Sequence, residues 1–306
     1  SALLPSLSVH LYLSFLCVLA APPSEPSTSL FVGGVRCVEE PGLKSRSCPV
    51  DEAINDSVAA LKWLQANGCQ QFYFKYCSTF DSTAEGNIGP VTDALLAELK
   101  EDFTIVCPAL PVNGRTVYNG HLFVFQDLLS ASGMRNHPVT PMTDSSLIRM
   151  MDAPSQVSSG LVTFQVIERG SQTGSERFET LKQQGVRYAV VDAFNADHLV
   201  TLGQAAKSLK LVTGGSGLAA GIAKNWAEHL ADQSDAKKAG NPTKAPTVVY
   251  SGSCSVMTNQ PVAVYKQQAP HFEIDVKAWL TDEVYSTQVS DWVITNIQMY
   301  LGYRGD

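Results

Sequence analysis

The 306 residues are 44% hydrophobic and 17% charged, the balance of a globular chain with one large or two modest domains, which excludes a disordered one. A formal net charge of −7 argues against binding a nucleic-acid backbone, which needs a basic face, yet a local Lys/Arg cluster can still hold a small anion. Seven cysteines, at positions 17, 37, 48, 69, 77, 107 and 254, include no C-x-x-C pair; they read as reduced thiols in a cytoplasmic setting, not as a disulfide framework or zinc site.

Residues 11–21 form an apolar run ending in Ala20-Ala21-Pro22-Pro23, which has the outline of a secretory signal. No Lys or Arg precedes it, and it is too short to span a bilayer as a helix. Residues 1–30 are therefore read as a leader or linker outside the fold, and no membrane partner is expected. Alternation follows. Pro49 opens a helix over 52–67, with Ala53, Val58, Leu61 and Leu64 at helical spacing and Asn67-Gly68 as its stop. Strand 71–74 leads through a polar loop to a helix opened by Gly89-Pro90, then to strand 103–106. Helix 176–184 is stopped by Gly185 and followed by strand 188–191, helix 198–208, strand 209–212 and helix 218–230. Residues 231–246, rich in Asp, Lys, Gly and Pro, read as a linker before strand 247–250 and helix 259–268. Short apolar strands alternating with helices predict an α/β fold with a mostly parallel sheet. The domain boundaries drawn on this pattern are 31–235 for a substrate domain and 245–306 for part of a second α/β domain. Trp63, Phe72, Phe74 and Phe80 are assigned to the core.

The loop 75–87 carries the chemistry. Lys75 offers a cation and Asp81 a carboxylate, while Ser78, Thr79, Ser82 and Thr83 offer hydroxyls, all at the carboxyl end of a strand. That mixture suits a polyhydroxy acid, with Lys75 for its carboxylate and the others for its hydroxyl groups. The bland alternative makes Asp81 or Ser82 only the N-cap of the next helix, but capping needs one such residue and not six. Further on, Asn113-Gly114 reads as a hairpin turn from which Arg115, Asn119 and His121 project; Arg115 fits carboxylate or phosphate, and an exposed structural hairpin fits equally. Two glycine-serine loops follow strands, one with Gly214, Gly215 and Ser216, the other with Ser251, Gly252, Ser253 and Ser255. Each places N–H groups at a helix start, where phosphate binds; neither is a Walker A loop or a G-x-G-x-x-G turn. Neither completes G-x-S-x-G, and the six histidines lack metal-site spacing, so a serine hydrolase and a zinc hydrolase are disfavoured. No glycine fingerprint opens a first βα turn either, which tells against a Rossmann oxidoreductase.

Taken together, Leu43-Lys44-Ser45-Arg46, the stretches 74–90 and 108–121, Ser132-Gly133-Met134-Arg135-Asn136-His137-Pro138, 213–218 and 251–258 closely resemble the four-carbon acid sugar kinase family, in that family's order. The likeness runs from about residue 43 to about 292. It implies an amino-terminal domain that binds the sugar acid, a carboxy-terminal domain that binds ATP, and Mg²⁺ as cofactor. The implied reaction is phosphoryl transfer to the terminal hydroxyl of a C4 acid such as 3-oxo-tetronate, in the cleft between the domains. On the resemblance Arg46, Lys75, Asp81 and Arg115 lie in or near the acid cleft, with Ser253 and Ser255 beginning the nucleotide side. The family's opening Asp-Asp-Phe-Thr-Gly-Ala and closing Gly-Gly-Glu-Thr-Ser and Lys-Ser-Gly-Asn-Phe-Gly stretches have no counterpart here. The chain is therefore read as truncated at both ends, with its catalytic residues unassigned. Two functions are carried forward: an ATP-dependent sugar-acid kinase, and a fragment that only binds the acid or pairs with a full-length homologue. Homo-oligomers fit either.

Overall fold

The computed structural model describes residues 13–19, 36–39, 42–43, 45–46, 48–137, 140–153, 158–227, 249, 251 and 256–302. They belong to two compact units, 1–239 and 240–306. The expected strand 247–250 and linker 231–246 lie almost wholly outside the described residues, as do Gly252, Ser253 and Ser255.

The first unit begins with β1 (Leu13–Leu19), β2 (Arg36–Glu39) and β3 (Gly42–Leu43), followed by α1 (Val50–Ala66), β4 (Gln71–Lys75), α2 (Ile88–Leu99) and β5 (Thr104–Cys107). An excursion of β6 (Arg115–Tyr118), β7 (His121–Val124) and β8 (Asp127–Leu128) leads to α3 (Leu147–Asp152), β9 (Ser159–Val162), α4 (Phe164–Glu168) and α5 (Ser171–Gln183). The unit ends with β10 (Tyr188–Val191), α6 (Ala196–Ala205), β11 (Leu211–Gly214) and α7 (Ser216–Ala227).

Five strands form a parallel sheet in the order β4-β11-β5-β10-β9. Parallel strands are covered on both faces, and β5, β10 and β11 are buried at every residue, as are Phe72, Tyr73 and Phe74 of β4. Helix α1 turns Ala53, Ser57, Leu61 and Leu64 inward, near one helical period apart, but Trp63 is half exposed and so leaves the predicted core. On the far side of β4 the sheet continues in antiparallel strands, β1 against β4 and β2 against β1. This corrects the reading of residues 1–30 as lying outside the fold: Leu13–Leu19 occupies the edge that β4 would otherwise leave unpaired. Cys69 is disulfide-bonded, against the expectation of reduced thiols, while Cys48, Cys77 and Cys107 are free.

The crossovers decide where a ligand can sit. The chain leaves β4 through α2 and re-enters at β5, moving one way across the sheet; it leaves β10 through α6 and re-enters at β11, moving the other way. Right-handed crossovers in opposite directions put α2 and α6 on opposite faces, which agrees with α2 packing on α1 and α3 and α6 packing on α5 and α7. Strands β4 and β11 are neighbours whose onward connections diverge, so their carboxyl ends border a crevice of the kind that holds ligands in open α/β sheets.

The small sheet β6-β7-β8 holds more than the one reversal expected. Its first reversal is at Asn119-Gly120, both left-handed at φ 46° and 69°, the conformation of a tight hairpin turn. Asn113-Gly114 also reverses the chain, as expected: the short 3-10 turn Pro111–Asn113, with Gly114 as its left-handed cap, brings Leu110 and Arg115 into a reciprocal antiparallel pair. In the second unit α8 (Val256–Tyr265), α9 (Val276–Thr281) and α10 (Glu283–Gly302) follow one another, and Asp275 caps α9 by accepting from the amides of Lys277 and Ala278. No described helix is long and apolar enough to cross a membrane.

Helices α6 and α7 cross so closely that a Cβ at Gly221 would stand 2.3 Å from the backbone oxygen of Leu199, which cannot swing aside. Gly221→Ala is therefore expected to destabilise the first unit by about 1–3 kcal/mol, the range for overpacking a tight contact. Urea unfolding followed by circular dichroism measures this, and an unchanged midpoint would contradict the packing described.

Candidate sugar-acid site

At the ends of β4 and β11, Lys75 pairs in register with Gly214. The amide of Tyr76 donates to the Gly214 oxygen at 3.0 Å, and the Tyr73 hydroxyl donates to the Gly215 oxygen at 2.6 Å. The two loops singled out in the sequence thus lie side by side. Gly214 and Gly215 are buried against the carbonyls of Cys107 and Pro108, where a Cβ on either would come within 2.6 Å, so close packing alone requires glycine there. Ser216, exposed in the first turn of α7, is the polar side chain this loop presents. Burial raises the Tyr73 and Tyr76 hydroxyls above their ordinary range and pushes the Cys107 thiol up to about 12. These groups stay protonated near neutrality, so none of them is an activated nucleophile.

The loop beyond Lys75 is strained and heavily braced. Phe80 and Asp81 are consecutive left-handed residues, at φ 66° and 47°, and neither is glycine. Phe80 is fully buried edge-on to Tyr76, with ring centres 5.5 Å apart, and Tyr76 is edge-on to Phe74 at 5.7 Å. The backbone turn delivers the Asp81 carboxylate into the interior, where its side chain is 3% exposed. The Thr79 hydroxyl donates to its Oδ1 at 2.6 Å, and the Arg46 guanidinium meets its Oδ2 at 3.0 Å. Arg46 is fixed in turn through its neighbours: the Asn87 amide donates to the carbonyls of Ser45 and Cys48 at 2.8 and 3.0 Å, pinning that segment to the start of α2. Asn87 occupies the N-cap position of α2 without a side-chain capping bond, so neither Asp81 nor Ser82 serves as the cap.

These residues line a shallow recess, partly open to solvent, with Ser45, Arg46, Asp81, Ser82 and Asn87 on its polar side and an apolar wall from Phe74, Tyr76 and Phe80. Of the predicted acid-binding residues, Arg46, Asp81 and Ser82 line it, and half-buried Lys75 closes β4 next to two of its walls. Arg115, Asn119 and His121 form a separate group on the small sheet. Arg115 lies over the Phe125 ring at 5.7 Å and donates to the Asn113 carbonyl, while a ring nitrogen of His121 meets the Asn119 oxygen at 2.8 Å. Sequence reasoning missed the residue that ties this group to the main sheet. Asp192, fully buried just beyond β10, accepts from the amides of Gly120 at 3.0 Å and Phe164 at 3.2 Å. Burial raises its pKa, with those amides and His121 pulling the other way. Its signal was available: an Asp directly after the apolar run 188–191, at a parallel strand's carboxyl end.

Removing Arg46 leaves a buried carboxylate without its counter-charge. Arg46→Met is expected to lower stability by about 3 kcal/mol, and Arg46→Met with Asp81→Leu to recover much of it, because removing both charges removes the desolvation cost as well. Urea midpoints of the single and double variants test this; a single variant as stable as the parent contradicts it.

Comparison with known proteins places this geometry. A family model described as a sugar-binding N-terminal domain matches residues 42–222. Curated 3-oxo-tetronate kinases from Pectobacterium atrosepticum and Escherichia coli are 56% and 54% identical to the chain, each across 82% of it. The chain spans 60% and 65% of those relatives, about three-fifths of their length. A solved structure of a Haemophilus influenzae protein superposes with a TM-score of 0.64 at 56% identity, covering 83% of this chain and 61% of that one. A Salmonella typhimurium LT2 structure superposes with a TM-score of 0.68 at 53% identity, covering 83% and 60%. The match spans β3 to α7, the whole parallel sheet and its recess included, and the chain belongs to the four-carbon acid sugar kinase family.

Proposed function

We propose that the chain carries the acid-binding part of an ATP-dependent kinase that phosphorylates the terminal hydroxyl of a four-carbon sugar acid such as 3-oxo-tetronate. The observation that carries this is the 54–57% identity to proteins named 3-oxo-tetronate kinase across more than four-fifths of the chain. The recess supports it chemically. Arg46 in the recess and Lys75 at the strand end beside it bring positive charge for an anionic substrate, and Asp81 and Ser82 bring hydrogen-bonding capacity for its hydroxyl groups. Held by several such contacts, the acid would present its terminal hydroxyl in one orientation, and orientation together with charge neutralisation is most of what phosphoryl transfer asks of a protein.

In the proposed reaction the hydroxyl oxygen bonds to the γ-phosphorus of ATP as the bond to ADP breaks, and the hydroxyl proton is lost. Ser216 is exposed at the start of α7, a place that suits phosphate, and the stretch with Ser251, Gly252, Ser253 and Ser255 ahead of α8 is separately assigned to the nucleotide by the family resemblance. Among the described residues no three His, Cys, Asp or Glu side chains gather to hold a metal ion. Mg²⁺ commonly binds through substrate phosphates, waters and only one or two carboxylates, so here it would enter with the nucleotide.

A coupled assay of ADP release with 3-oxo-tetronate tests this reading. The chain should turn over, and Lys75→Ala should lower kcat/KM about tenfold or more through KM, as loss of a charged contact to the acid predicts. Release no faster than from Lys75→Ala, or a variant indistinguishable from the parent, contradicts it.

A further inference from the structure

Buried Thr79 touches Asp81 twice without itself lining the recess. Its carbonyl accepts from the Asp81 amide at 2.8 Å, and its hydroxyl donates to Asp81 Oδ1 at 2.6 Å. A hydroxyl has one hydrogen, and a carboxylate paired with Arg46 only accepts, so that hydrogen is committed to Asp81. The Cys77 thiol, 3.0 Å from the Thr79 hydroxyl oxygen, is then the donor in its own contact. The result is a one-way chain, thiol to hydroxyl to carboxylate, that ends on a residue of the recess wall.

The chain adds something the ion pair cannot supply. Arg46 meets Oδ2 at 3.0 Å, but a carboxylate fixed at one oxygen still turns broadly about its last torsion. A second contact, on the other oxygen, sets its plane. Each carboxylate oxygen can accept twice, and each has one partner among the described residues, so capacity for further donors remains on a group that lines the recess. The fold has other holds on this loop: Arg46 supplies the counter-charge, and the Phe80 amide donates to the Cys77 carbonyl at 3.0 Å. Resting on the sugar-acid reading above, we infer that Thr79 is a positioning residue for the acid. It fixes the plane in which Asp81 accepts the ligand's hydroxyl hydrogens, and acts on the ligand only through Asp81.

Thr79→Val keeps the branched shape and deletes the donor, whereas Thr79→Ser keeps the donor. Calorimetry without nucleotide measures the binding of 3-oxo-tetronate and of acetoacetate, a four-carbon 3-oxo acid with no hydroxyl group, to the parent and both variants, alongside thermal unfolding. Thr79→Val should weaken 3-oxo-tetronate binding about tenfold, as loss of a hydrogen bond that aligns a charged group predicts, and leave acetoacetate unchanged. Thr79→Ser should bind both acids as the parent does. If Thr79→Val does not fold, Thr79→Ala takes its place with the same expectation. Parent-like binding of 3-oxo-tetronate by the variant without the donor overturns the inference, whatever its unfolding temperature, because the hydroxyl then serves the fold alone. Equal losses for both acids, or a Thr79→Ser variant as weak as Thr79→Val, overturn it too, and in all these cases the sugar-acid reading stands. A parent that does not bind 3-oxo-tetronate defeats that reading and this inference with it.

Discussion

The recess depends on the ion pair between Arg46 and Asp81. It joins positions 35 residues apart in the chain, one in a short turn before α1 and the other in the loop beyond β4. Without it, the loop would have little reason to hold two successive non-glycine residues left-handed, an arrangement that costs roughly 1–2 kcal/mol per residue. Burial of the Phe80 ring between the loop and the sheet offsets a cost of that size. The same backbone turn therefore does two things: it sinks an aromatic ring into the core and drives the next side chain, a carboxylate, into a place only a counter-charge makes tolerable. A fixed guanidinium, a fixed carboxylate and a wall of aromatic rings follow from that one local geometry.

Sheet topology supplies the setting. Because α2 and α7 leave the adjacent ends of β4 and β11 in different directions, the chain cannot close over the crevice between them. The polar loop 75–87 and a glycine-rich loop meet there, where the Tyr76 amide donates to the Gly214 carbonyl at 3.0 Å. The glycines in the second loop admit the carbonyls of residues 107–109, so the tight junction of three strand ends is itself a reason for the glycine-serine pattern. The small sheet stands apart from this junction, tied to the main sheet by the buried carboxylate of Asp192 and by the bridge between Val117 and Ala193.

Much of this could be read from the chain because local signals were strong. The strands 71–74 and 188–191 are continuous apolar runs, and Asn67-Gly68 and Gly185 stop their helices where the sequence says they should. The polar loop 75–87 stood out for its density of hydrogen-bonding side chains at a strand end. What escaped notice is non-local. Nothing near Arg46 announces Asp81 as its partner, and Ser45 is conspicuous only when its surroundings show a hydroxyl with nothing to bond. Asn87 looks like a helix cap and spends its amide on residues 45 and 48 instead. Asn113-Gly114 and Asn119-Gly120 carry the same turn chemistry and both reverse the chain, but only strand pairing shows that the second joins β6 to β7. Leu13–Leu19 has the outline of a signal segment, and an apolar run of that length does not by itself reveal that it adds to a sheet edge.

The central claim is positional: a small hydroxylated acid sits at the carboxyl ends of β4 and β11, against Arg46 and Asp81. A crystal structure of the chain grown with saturating 3-oxo-tetronate tests it most directly. The account predicts the acid inside the recess, with Ser45, Arg46 and Ser82 within hydrogen-bonding distance and Lys75 at its carboxylate. An empty recess at saturation, or an acid bound on the small sheet beside Arg115 and His121, would contradict it.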